Sequence, residues 1–177
     1  DKQVTLLDTP GHVDFSAEME RTLQVLDYAI LVVSGADGVQ GHTRTLWNLL
    51  ARYQVPTFIF INKMDQDGTD RQDRLAELKR KLSGECVDFT EAGEEFLEEL
   101  SMCDETVMES YLENGEITTD QIQTLIRERK VFPCYFGSAL KLEGVQELLD
   151  GLEKYRAKIG GHDASSVPIS VSRPFSS

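Results

Sequence analysis

The stretch Thr57-Phe58-Ile59-Phe60-Ile61-Asn62-Lys63-Met64-Asp65 decides the fold. Its first five residues are β-branched or aromatic and show no polar alternation, which reads as a strand covered on both faces. At Asn62 the character changes abruptly to amide, ammonium and carboxylate. A polar cluster at the end of a buried strand lies at the carboxyl edge of a sheet, where open α/β sheets bind ligands. The residue types suit a purine. A carboxylate at 65 can accept from both N1–H and N2–H₂ of guanine, and adenine lacks that donor pair. An unpaired buried donor or acceptor costs roughly 1–3 kcal/mol, which is the source of base selectivity. The Lys63 stem can lie along the base plane, and Asn62 can bond the base edge and brace neighbouring loops.

Working outward, Val4–Leu7 is a short strand ending at Asp8, Ala29–Ser34 is a continuous apolar strand, and Phe132–Phe136 is a strand ending at Gly137-Ser138. Pro133 suggests an edge position or an irregular start for the last of these. Phe15, Met19, Leu23 and Leu26 recur at helical spacing over 15–26. Residues 43–53 turn Leu46, Trp47, Leu49 and Leu50 inward, and Val145, Leu148, Leu149, Leu152 and Tyr155 mark a final helix. Strands alternating with helices predict an α/β fold with a three-layer parallel sheet.

Two further strand ends carry polar loops. Asp8-Thr9-Pro10-Gly11-His12 places an acid, a glycine and an imidazole after the first strand. The carboxylate can hold Mg²⁺, usually through water. The Gly11 N–H can meet a terminal phosphate because no side chain blocks it, and the polar residue after it can position an attacking water. Gly137-Ser138-Ala139-Leu140 follows the last strand, where small residues let a backbone N–H reach guanine O6.

Between these loops lies a segment, residues 66–130, with helical patterning: Leu75, Leu78 and Leu82 in one helix, Phe96 through Leu112 in a longer one, and a third capped near Thr118. It carries 18 acids against 8 bases, and residues 85–126 hold 13 acids and no Lys or Arg, within a chain whose net charge is −13. Such a surface repels phosphates. It is expected to touch a protein partner or to serve as a solvated face. The expected organisation is a core of 1–65 and 131–159, an acidic helical insertion at 66–130, and a linker and tail at 160–177.

Together the strings DTPGHVDF, LDYAILVVSGADGVQGHT, VPTFIFINKMDQDG and GSALKLEGVQELLD closely resemble the translational GTPases. Within them the chain is similar to elongation factor G and the tetracycline-resistance ribosomal protection proteins, over about residues 3–156. The short insertion and the run from NKMDQDG to KLSGE look more like the ribosomal protection type. The resemblance implies a P-loop-GTPase type of sheet and binding of GTP or GDP with Mg²⁺. It makes Asp8 the Mg²⁺-linked acid, Gly11 the γ-phosphate sensor and His12 the catalytic residue that positions water. Asn62, Lys63 and Asp65 would bind guanine, aided by Ser138, Ala139 and Leu140. The ribosome would be the activating partner, with the acidic insertion against a ribosomal protein, in the cytoplasm. His42 and His162 receive no role.

The phosphate-cradling string G-x-x-x-x-G-K-[ST] does not occur in the 177 residues. Gly35 to Thr43 comes nearest, with five residues between its outer glycines and His42 in place of Lys. The expected sheet is therefore incomplete at its N-terminal side, and weak nucleotide binding with negligible hydrolysis is expected of the chain alone. A non-catalytic interaction module is the alternative. In GTPase topology the phosphate-loop strand lies between the strand ending at Asp8 and Ala29–Ser34. Its absence requires that the gap close, be filled by Val167–Val171, or lead to self-association through unpaired edges.

Composition is that of a globular protein, with 40% hydrophobic and 28% charged residues. No apolar run approaches the roughly 20 residues of a membrane span, and Asp1-Lys2-Gln3 leading into a short apolar strand is not the pattern expected of a signal peptide. A start at Asp1 rather than Met is expected of a piece of a longer protein. Cys86, Cys103 and Cys134 have neither metal-ligand spacing nor the even number of a disulfide framework, which fits a reducing compartment.

Overall fold

A computed structural model describes residues 4–8, 21, 23, 24, 26–155 and 169–171, with only the main chain described at 4–8 and 169–171. Its six strands are β1 (Val4–Asp8), β2 (Tyr28–Ser34), β3 (Thr57–Asn62), β4 (Cys86–Asp88), β5 (Phe132–Phe136) and β6 (Ile169–Val171). They form one sheet in the order β4-β5-β3-β2-β1-β6, with every pairing parallel. The helices are α1 (Gly41–Arg52), α2 (Arg71–Lys81), α3 (Glu94–Ser101), α4 (Glu105–Asn114), α5 (Thr119–Arg127) and α6 (Val145–Tyr155). The three-layer α/β architecture expected from the sequence is the observed one.

Alternation along β2 sorts the core. Ala29, Leu31 and Val33 face one layer with Leu46, Trp47 and Leu50 of α1 and Leu75 and Leu78 of α2. Tyr28, Ile30 and Val32 face the other, with Leu100 of α3, Val107 of α4, Ile122, Leu125 and Ile126 of α5 and Leu148 of α6. The period of two in a strand covered on both faces produces two apolar layers from one continuous apolar run. Cys86 and Cys134 are fully buried, Cys103 is partly so, and all three are free thiols. No helix among the described residues is long and apolar enough to cross a membrane.

Of the three outcomes expected for the gap beside β1, closure is the observed one: β1 pairs directly with β2 from Val4↔Tyr28 to Asp8↔Val32. Ile169–Val171 does form a strand, but it covers the outer edge of β1 rather than filling a space between β1 and β2. The two edges on which self-association would rest are thus paired with each other. Val167 and Pro168 lie outside the described residues, as does most of the helix expected at 15–26, although Leu23 and Leu26 are buried in the core.

The segment 66–130 is not wholly helical, because Cys86–Asp88 joins the sheet beside β5. Pro133 accordingly sits in an interior strand. Phe132 N–H donates to Glu85 O at 3.0 Å, so the Pro133 nitrogen faces β3, and the β3–β5 ladder begins one residue later at Ile59↔Cys134. Pro133 has no N–H to give β3, and the β3–β5 ladder accordingly begins after it, while the β4 side of β5 stays paired. The single helix expected over Phe96–Leu112 is two helices. Asp104 breaks it, its carboxylate accepting from Thr106 N and Val107 N as an N-cap for α4. Thr118 caps α5 through a reciprocal box with Gln121.

Candidate functional site

The polar cluster after β3 folds back sharply. Lys63 takes φ 60, a left-handed conformation uncommon outside glycine. The turn is closed by Gln66 N–H on Lys63 O at 3.3 Å and by the Thr69 hydroxyl, which donates to Met64 O and Gln66 O at 3.0 and 2.8 Å.

β5 is the neighbour of β3, so the loop at Gly137 meets this turn. Gly137 N–H donates to Ile61 O and Met64 N–H donates to Gly137 O, both at 3.0 Å. The Asn62 side-chain oxygen accepts from Ala139 N–H at 2.8 Å. Asn62 therefore braces the two loops, as its position suggests. The Ala139 amide is engaged by that bond, while Leu140 N–H beside it has no partner among the described residues. Ser138 and Glu143 close the loop with two mutual backbone bonds of 2.9 Å. The closure needs close main-chain approach: a Cβ on Gly137 would collide with the Glu143 carbonyl. Leu140 stands 92% exposed on this loop.

The Asp65 carboxylate accepts from the Ser138 hydroxyl and lies 3.4 Å from Lys141 Nζ. The Ser138 hydrogen bond, with lesser help from the Asp65 backbone amide and Lys141, holds its carboxyl below the ordinary value of 3.8 despite some desolvation. It is an ionised double acceptor, which is what a pair of adjacent N–H donors requires.

Six of the sequence-predicted residues, Asn62, Lys63, Asp65, Ser138, Ala139 and Leu140, are thus gathered at the carboxyl ends of two adjacent parallel strands. Asp8 ends β1, two strands away from β3 and on the same edge of the sheet; its side chain is outside the described atoms. Gly11 and His12 lie outside the described residues. No group of three or more His, Cys, Asp or Glu residues among the described residues forms a metal cluster. A single hard oxygen donor at the end of β1 suits a hard cation that keeps most of its water shell. Sequence reading missed Lys141 and Thr69. Lys141 directly follows Leu140 and Thr69 directly follows Gly68, and only the folded loops show what they bond.

Residues 1–158 match the family described as the elongation factor Tu GTP binding domain. Among solved structures, the protein ttk003000868 from Thermus thermophilus superposes with a TM-score of 0.69 at 22% sequence identity, covering 84% of this chain. At that identity the likeness is one of fold. The chain spans 29% of that structure's chain. With the family match running through both strand-end loops and the sheet between them, the chain belongs to the elongation factor Tu GTP-binding domain family.

Proposed function

We propose that this chain is the base-reading part of the GTP-binding domain of a translation factor that hydrolyses GTP on the ribosome, of the elongation or tetracycline-resistance ribosomal protection type. One observation carries the reading: an ionised Asp65, held by Ser138, stands beside a loop pair locked by the Asn62–Ala139 hydrogen bond. Asp65 takes the two guanine donors. The Lys63 stem and the exposed Leu140 flank the base. Leu140 N–H is the free amide for O6, with Ala139 fixing the loop through Asn62.

Asp8 would hold Mg²⁺ through water, and the ion would supply charge neutralisation at the phosphates. Gly11 would sense the terminal phosphate and His12 would position the hydrolytic water. The 177 residues contain no phosphate-cradling loop, so nucleotide binding by this chain is weak and hydrolysis negligible. The site belongs to the cytoplasm, with the ribosome as partner and the acidic insertion against one of its proteins.

A second reading, a non-catalytic interaction module, draws on the acidic stretch 85–126, which has no basic residue. Binding assays with fluorescent GDP and XDP separate the two. Asp65→Asn should weaken GDP roughly 10- to 100-fold, the loss of one buried acceptor pair, and improve XDP. Unchanged GDP binding in the variant refutes the base-reading role.

A further inference from the structure

The loop after β2 packs directly on the base-reading turn. Gly35 N–H donates to Asn62 O at 2.6 Å. A Cβ on Gly35 would stand 2.6 Å from Met64 Sδ and 2.8 Å from Asn62 O, so the two loops touch through main chain. The other side of the Gly35 loop is held by α2, within the acidic segment. Arg74 Nη2 donates to Gly35 O at 2.6 Å, and Arg74 Nη1 donates to Glu77 Oε2 at 2.7 Å. Glu77 Oε1 in turn accepts from Val39 N–H. One ion pair thus grips a carbonyl and an amide of the same loop. Gly38, at φ 74, leaves the space: a Cβ there would collide with the Arg74 guanidinium and the Glu77 carboxylate.

Both side chains are only 17% exposed, and Arg74 Nε is buried without a partner among the described residues. Desolvating a pair in this way is an inefficient means of docking a helix, since apolar residues of similar volume do so at least as well. What the pair supplies is direction. From Arg74 a relay of hydrogen bonds runs through Gly35 O, Gly35 N–H, Asn62 O, Asn62 Oδ1 and Ala139 N–H. It links α2 to both loops that carry the base-reading residues.

We propose that Arg74, with Glu77 as its counter-ion, is a positioning residue for guanine recognition. It touches no base and sets the placement of Asn62 and Ala139 through the Gly35 loop. The specificity part of this proposal rests on the nucleotide reading above; the positioning part does not.

The test uses the whole chain and two readouts. Amide hydrogen exchange followed by NMR reports the relay without any nucleotide. Fluorescent GDP and IDP report its effect on base reading, because IDP lacks the N2 amino group. Arg74→Met should speed exchange at Gly35 and Ala139 at least tenfold and weaken GDP three- to tenfold. It should also narrow the GDP-over-IDP preference, which a merely structural residue would leave unchanged. Arg74→Lys should fall between, since one ammonium cannot replace a guanidinium fork. Lys79→Met, which breaks the 3.2 Å pair of the same helix with Glu99, should match wild type. Wild-type exchange at Gly35 and Ala139 in Arg74→Met, or an equal loss in Lys79→Met, overturns the proposal. Protection lost with the GDP-over-IDP ratio unchanged overturns its specificity part. Wild-type chain that binds no guanine nucleotide refutes the nucleotide reading instead, and exchange still decides whether Arg74 positions the loops.

Discussion

Gly137→Ala isolates the cost of closing the loop that meets the Asn62 turn. Gly137 does not have a positive φ, so alanine carries no conformational penalty there. Its methyl would nevertheless meet three main-chain atoms: Glu143 O, Glu143 C at 2.8 Å and Gly144 Cα at 3.0 Å. Backbone cannot swing aside as a side-chain tip does, so the Ser138–Glu143 closure must open. Its two 2.9 Å bonds are worth about 0.5–1.5 kcal/mol each, and residual overpacking adds roughly 1–3 kcal/mol. Reduced entropy of the unfolded chain returns about 0.4–1 kcal/mol. The net loss is about 3 kcal/mol, or roughly 6–12 °C in Tm for a chain of this size. Gly41→Ala provides the contrast. It begins α1 with nothing within 4 Å of its would-be Cβ, and should gain up to about 1 kcal/mol. Urea unfolding with an unchanged m-value measures both. A loss under about 1 kcal/mol for Gly137→Ala, or a similar loss for Gly41→Ala, refutes the steric reasoning.

Asp104→Ala should cost roughly 0.5–2 kcal/mol by uncapping α4, seen as early loss of helical circular dichroism on heating. The Lys130 ammonium, ahead of the Val107 amide, holds the Asp104 carboxyl below its ordinary value of 3.8. A depressed carboxylate stabilises above that value and loses its effect as pH falls through the folded pKa. The wild-type advantage should therefore be full at neutral pH and vanish in strong acid, and a gap that persists there contradicts the assignment. Arg129 bonds Val55 O and Thr57 Oγ1 while its guanidinium lies 5.3 Å from the Trp47 ring and 4.9 Å from Phe132. Arg129→Ala should cost about 2–4 kcal/mol in denaturant unfolding, and Arg129→Lys should recover less than half; full recovery by lysine contradicts the role of the planar fork.

What the sequence disclosed follows from where single residues decide structure. The strands β2 and β3 were legible because each is a continuous apolar run, as a strand covered on both faces requires; β5 was legible as a strand, but Pro133 hid its interior place. Asn62 and Asp65 were legible because a strand end fixes where polar residues must point. β4 was hidden: Cys86-Val87-Asp88 is three residues long in an acidic stretch, and only its neighbour β5 makes it a strand. The break at Asp104 was masked by apolar spacing that runs on through Phe96 and Leu112. The Arg74 contact with Gly35 spans 39 residues, and no local signal can announce such a pairing. Of the phosphate side, Gly11 and His12 lie outside the described residues.

The brevity of β4 has a consequence for solubility. It is the last strand on its side of the sheet, and an exposed outer strand offers free N–H and C=O groups to any passing chain. Three residues offer few. Asp88, the last of them, is tied by its carboxylate to Arg71 at 3.3 Å and accepts from Thr90 N–H at 2.8 Å. The chain therefore bends away before a second molecule could extend the ladder. A longer apolar strand in this place would stack one copy on another, and the short, charge-anchored one ends the sheet.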